Sequence, residues 1–330
     1  MLAIAVLASL SLVASAQSSV VVYGVVDASV AKEDTGLISR TIMASGNQSA
    51  SRVGFRGVED LGNGLKGIFN LEAGLAVDTG AADSVLFGRR AVVGLQGSFG
   101  TVTLGREYTP IADVAKASDI FDQGFYGTNL SSFGGGKLTR RISNSVNYRS
   151  ASMSGFKFGA SYGLGEIATG PSQNLAGVSA EYTIGGLYLG AGYHTFERIA
   201  AGDDKEMILG AGYKIGKFEV RGNYMNADIK LGAEYEQTNL GASYTMDANK
   251  FMFNYTRNEL STGAKGTGLS FAYSYTLSKR TNVYAAASKM SNNNLGTFGI
   301  FSAGSNFAPT GAGAAGKDPM GYTIGLRHSF

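Results

Sequence analysis

The sequence predicts an all-β fold: a single transmembrane antiparallel β-barrel of about sixteen strands over residues 17–330, with one long loop folded into it. Three observations carry this. Segments of about ten residues alternate apolar with polar side chains from end to end, and no shift in composition marks a second domain. There are 48 Gly and only 4 Pro, without a Gly-X-Y period, beside 17 Tyr and 18 Phe, a mixture that suits a curved, closed sheet better than a disordered or collagenous chain. Large apolar residues oppose small polar ones, as Phe156, Phe158 and Tyr162 oppose Lys157 and Ser161, so the strands read apolar-out and polar-in.

Residues 1–16 read as a signal peptide. Leu2 to Val13 are almost wholly apolar, Ala14-Ser15-Ala16 offers a small-residue cleavage site, and Gln17-Ser18-Ser19 ends the run too soon for a membrane-spanning helix. The lack of cysteine fits export. A net charge of +3, with no Lys/Arg run longer than two, gives no reason to expect a nucleic-acid partner.

The first strand puts Tyr23, Val25 and Asp27 on one face and Val22, Gly24, Val26 and Ala28 on the other. Residues 31–48 are polar and turn-rich and are expected to form a loop. In residues 51–60, Arg52 and Arg56 share the face turned away from lipid. After a tight turn at residues 60–64, Phe69 and Leu71 face out while Lys66, Asn70 and Glu72 face in. Further strands near 86–98, 101–107, 141–150, 155–164, 175–183, 187–197, 205–213, 217–228, 233–245, 250–260, 266–277, 281–290 and 320–330 complete an even number, as closed bacterial barrels have. The strand at 281–290 does not declare a face. Short turns such as 98–100, 184–186 and 214–216 belong at one rim and longer connections at the other. Tyr162, Tyr182, Tyr193, Tyr213, Tyr244 and Tyr273 recur near strand ends, where an aromatic girdle meets the lipid interface.

Residues 107–140 form the longest interruption, and a loop of that length is usually functional. It carries Asp113, Asp119 and Asp122 and runs into Arg140 and Arg141. Phe121, Phe125, Tyr126 and Phe133 argue against the alternative, a disordered surface insertion. The loop is expected to fold inward and set the width and charge of a pore. His194 and His328 are the only histidines and no His pair stands at metal spacing, so no metal is expected. His194 reads as a satisfied lumen residue. Two G-x-G-x-x-G matches, at residues 62–67 and 311–316, lie in turns rather than between a strand and a helix, so no dinucleotide cofactor is expected. No Ser/His/Asp-type set marks an enzyme.

Several stretches resemble the Gram-negative general diffusion porins of β-proteobacterial and neisserial type: Ser19-Val20-Val21-Val22-Tyr23-Gly24-Val25-Val26-Asp27, Ser51-Arg52-Val53-Gly54-Phe55-Arg56-Gly57-Val58-Glu59-Asp60-Leu61-Gly62, Phe87-Gly88-Arg89-Arg90 and Gly325-Leu326-Arg327-His328-Ser329-Phe330. The resemblance covers nearly the whole mature chain. It implies an outer-membrane homotrimer of sixteen-stranded barrels, embedded in lipid, passing ions and small hydrophilic solutes by passive diffusion. It also implies that Phe330 is read by the barrel-insertion machinery. The family's arginine cluster falls on Arg52, Arg90 and Arg141, with Arg106 a further candidate if the strand breaks at Gly105. Arg56 and Lys66 join them on inward faces, and Asp113, Asp119 and Asp122 face them from the loop. Guanidinium groups around a water-filled centre favour anions. Moderate anion selectivity is therefore expected; the alternative is a solute-specific channel biased to phosphate or organic anions. Parity also places Phe253 and Phe271 outward and Ser270 inward, so an arginine should be costly at the first two and cheap at the third.

Overall fold

The computed structural model describes residues 19–134, 137–199 and 202–330. The signal segment predicted from the sequence lies outside them. The described residues form sixteen wall strands: β1 (Ser19–Asp34), β2 in two pieces (Ser39–Ser45 and Arg52–Gly62), β3 (Leu65–Ala76), β4 (Arg90–Gly97), β5 (Gly100–Tyr108), β6 (Arg141–Arg149), β7 (Phe156–Gly163), β8 (Leu175–Ile184), β9 (Leu187–Ile199), β10 (Gly202–Ile215), β11 (Phe218–Asp228), β12 (Tyr235–Met246), β13 (Asn249–Leu260), β14 (Lys265–Thr276), β15 (Thr281–Asn292) and β16 (Met320–Ser329). Each pairs antiparallel with the next. β16 pairs back onto β1, from Val25 opposite Ser329 to Asp34 opposite Met320, and closes the wall. A closed sheet satisfies its backbone groups internally, which is what lets strands cross lipid.

The alternation sorts as the sequence predicts. On β1, Val22, Val26 and Val30 are exposed, whereas Asp27, Ser29 and Glu33 are buried inside. On β15, whose face the sequence leaves open, Val283 points out and Tyr284 in. Outside, Phe156 packs on Tyr182, Phe218 on Tyr244 and Phe251 on Tyr273, all near the short-turn rim.

Residues 31–48 are not the expected loop. β1 continues to Asp34 and returns through a hairpin, Asp34 opposite Ser39. The chain then leaves the wall at residues 46–51 and rejoins it at Arg52, opposite Val25. β4 starts at Arg90, later than predicted, because Ala81 and Ala82 pair back onto the end of β3.

The long loop folds into the barrel. Its helix α1 (Pro110–Ala117) has proline in the first turn, where the missing N–H costs nothing, with Asp113 near its start and Lys116 near its end. Ile111, Val114 and Ala115 are buried against β9 and β10. The wall accepts them through glycines: a Cβ at Gly190, Gly192 or Gly210 would press on Val114, Ile111 or Ser118, and one at Gly241 would overlap Ile120. Further along, Gly127 lies against the Ser270 hydroxyl with φ +86°, a conformation and a gap that suit only glycine. The connection between β15 and β16 also reaches inward, its Phe301 carbonyl accepting from Gly127 N–H and its Ala303 N–H donating to Gly124, each at 2.8 Å.

Candidate functional site

Between the loop and the wall lies a cavity of about 850 Å³. Nine cationic side chains line it (Arg52, Arg89, Arg90, Arg140, Arg149, Arg327, Lys116, Lys157 and Lys250) against four carboxylates (Glu72, Glu107, Asp113 and Asp122), an excess of five positive charges. Glu72 sits between Arg89 Nε at 2.7 Å and Arg52 Nε at 3.4 Å. Glu107 pairs with Arg90, and Asp113 with Arg149 at 2.7 Å. Asp122 turns to Arg221 at 2.8 Å, a residue that does not line the cavity. Among the described residues, Arg140, Arg327 and the three lysines have no carboxylate within ion-pair distance. Arg140 donates to Gln123 Oε1 at 2.7 Å and Arg327 to Ser49 Oγ at 2.8 Å. Burial, reinforced by the neighbouring Arg141, pulls the Arg140 pKa down to about 10, which still leaves it charged at neutral pH.

Of the residues expected here from sequence, Arg52, Arg90, Asp113 and Asp122 line the cavity. Arg141 does not. The pairing of β5 with β6 slips between Gly105 and Glu107, and opposite the slip Asn144 takes φ +51°, so Arg141 no longer shares a face with Ser145. Its guanidinium lies 4.5 Å from the Tyr108 ring centroid and donates to that hydroxyl at 2.7 Å. Arg106, at the same slip, is spent on Gly88 O at 2.7 Å and Ser143 Oγ at 2.8 Å, away from the cavity. Arg56 lies over Tyr23, 5.1 Å from the centroid, and Lys66 is exposed near the short-turn rim; neither lines the cavity.

Asp119 also corrects the sequence reading: it is fully buried and faces its own loop. It accepts from Phe121 N–H at 2.9 Å, Gln123 N–H at 3.2 Å, Asn129 N–H at 3.3 Å and the Thr128 hydroxyl. Burial pushes its pKa up, against these bonds. The loop's two roots are tied to the wall by β9 and β10. Buried His194 accepts from Ile111 N–H through Nε2 at 3.3 Å, and Glu206 accepts from both Thr139 N–H and its hydroxyl at 2.7 Å. Sequence reasoning missed Arg89, because a strand at 86–98 gives it the parity opposite to Arg90 whereas the strand starts only at Arg90, and Arg140, which stands just before β6 where alternation says nothing. Arg149 carried a usable signal, since it shares the inward parity of Asn147.

Burial raises Asp113 to about 6 despite the opposing charge of Arg149. As pH falls through that value the carboxylate is neutralised and the cavity becomes more positive. The reversal potential should therefore move in the anion-favouring direction between pH 7.5 and 5, and Asp113→Asn should flatten the change. A shift toward cations on acidification, measured as reversal potential, would contradict this.

A family description of Gram-negative porins matches residues 3–295. The chain is 36% identical over 180 residues to an outer membrane porin protein of Bordetella pertussis, covering 49% of this chain and 47% of that one. It is 38% identical over 177 residues to outer membrane porin protein 32 of Delftia acidovorans, covering 51% and 50%. The chain thus spans about half the length of the curated relatives it matches. Across 95% of this chain and 100% of the other, it superposes on an anion-selective porin from Comamonas acidovorans with a TM-score of 0.82 and 28% identity. With a closed sixteen-stranded barrel, an inward loop and a family match over most of its length, the chain belongs to the Gram-negative porins of the outer membrane.

Proposed function

We propose that the chain forms a water-filled channel for passive diffusion of ions and small hydrophilic solutes, with moderate anion selectivity. The observation that carries this is the excess of five positive charges around the cavity. At physiological ionic strength the Debye length is about 8 Å, so these nearby groups, and not the net charge of the whole chain, set the local potential. The likeness to an anion-selective porin supports the same reading. In planar bilayers under a salt gradient, the reversal potential should have the anion-selective sign and weaken as salt is raised. Arg52→Ala and Arg90→Ala should each reduce it and raise conductance. Arg141→Ala should do less, because Tyr108 stands between it and the cavity. A cation-selective reversal potential in the unmodified protein would overturn the reading. Conductance that saturates with phosphate or an organic anion would favour a solute-specific channel instead.

The same proposal includes homotrimeric assembly and insertion that depends on Phe330. Phe330 exchanges two backbone hydrogen bonds with Gly24, both 3.1 Å, and its ring covers that glycine. Deleting Phe330 should lower the amount of heat-modifiable barrel in the outer membrane; undiminished assembly would count against its role.

A further inference from the structure

Where β2 breaks, the chain does more than turn a corner. Gln48, Ser49 and Ala50 enter the cavity lining. The Gln48 carbonyl lies against Gly124, at the tip of the long loop, so closely that a Cβ there would overlap it. Two of the lining cations take their positions from this segment: Arg52 donates to Ala50 O at 2.9 Å and Arg327 to Ser49 Oγ at 2.8 Å.

Two buried polar residues hold the segment. The Asp27 carboxylate accepts from Gln48 N–H at 3.0 Å, Ser49 N–H at 2.6 Å and Tyr284 OH at 2.6 Å. Asn47 Nδ2 lies within hydrogen-bond distance of Tyr126 OH at 3.0 Å and of Ser29 Oγ and Thr323 Oγ1 at 3.1 Å, and its Oδ1 accepts from Ser302 Oγ at 2.8 Å. One amide therefore joins β1, β16, the long loop and the last connection. Buried amides and carboxylates satisfied this fully fix a single arrangement, because each lost bond leaves a costly unpaired group.

We propose that residues 46–51 are a second constriction element facing the long loop, with Asn47 and Asp27 as its positioning residues and the placement of Arg52 and Arg327 as its contribution to selectivity. This rests on the channel reading above and adds a residue set to it.

The chain has no cysteine, so Ser49→Cys offers one thiol in the lumen. In planar bilayers, reaction with either an anionic or a cationic methanethiosulfonate should lower single-channel current. Only the anionic reagent should move the reversal potential toward cations. Failure to label, or labelling confirmed by mass with current and reversal potential unchanged, overturns the proposal. Asn47→Ala, if it yields heat-modifiable barrel, should conduct more than the parent, and unchanged conductance overturns the positioning role. If it does not assemble, the Ser49→Cys result decides alone. A cation-selective parent channel would remove the selectivity reading of the function, while current loss on labelling would still support a second constriction.

Discussion

Asp119→Ala should widen the channel while the barrel wall stays assembled. The carboxylate is fully buried and gathers three backbone N–H groups and one hydroxyl from residues 121–129, so it acts as the hub of the loop's inner turn. Truncating it strands those donors, each at about 1–3 kcal/mol when left unpaired. That is enough to free the segment between α1 and Asn129. The wall ladders, including the closure of β16 on β1, do not involve it. Single-channel conductance should rise and heat-modifiable mobility persist. Because Asp119 faces the loop interior, selectivity should change less than conductance. Unaltered conductance in an assembled channel would show that other contacts suffice, the His194 and Glu206 anchors first among them.

Phe271→Arg should destabilise the barrel by about 2–4 kcal/mol, the range for a cation on a lipid-facing strand near mid-membrane. Phe271 is 61% exposed on the outer face of β14, beside Phe253 of β13. Ser274→Arg, three residues on and lining the cavity, should cost much less. Ser270→Arg, cheap by strand parity alone, should be as damaging as Phe271→Arg. Its hydroxyl shares a hydrogen bond with Ser288 at 2.8 Å and is covered by Gly127, leaving no room for a guanidinium. Denaturation of refolded barrel, followed by heat-modifiable mobility, compares the three. Equal tolerance at Phe271 and Ser274 would mean the faces are assigned wrongly.

Ser270 shows where sequence reading stops. A period of two reports which side of the sheet a residue takes, and on that basis the sixteen strands, the outward phenylalanines and the inward Arg52 and Arg90 were all legible. It does not report what lies on the inner side, where the loop packs against β8 to β14 and its Tyr126 also reaches Glu33 of β1, while Arg52, Arg90 and Arg149 on β2, β4 and β6 line the cavity. Alternation also fails at a slip in register, which is why Arg141 is misplaced; Gly105, with φ +124°, could be suspected as a break, but nothing in the letters marks Asn144 opposite it. Asp119 and Asp113 look alike in sequence. Only the fold distinguishes an acid that caps its own loop from one that pairs with Arg149 in the cavity lining.

The closure of β16 on β1 also bears on how the barrel is made. Its partners come from opposite ends of the chain, and contacts of such separation form late because ordering the intervening residues must come first. Until they form, β1 from Val25 to Asp34 and β16 from Met320 to Ser329 each present one unpaired edge, a template for joining another chain. Refolding from denaturant should therefore be slow and concentration-sensitive, with side-by-side oligomers as the competing product, whereas pairing of neighbouring strands along the hairpins should be complete much earlier.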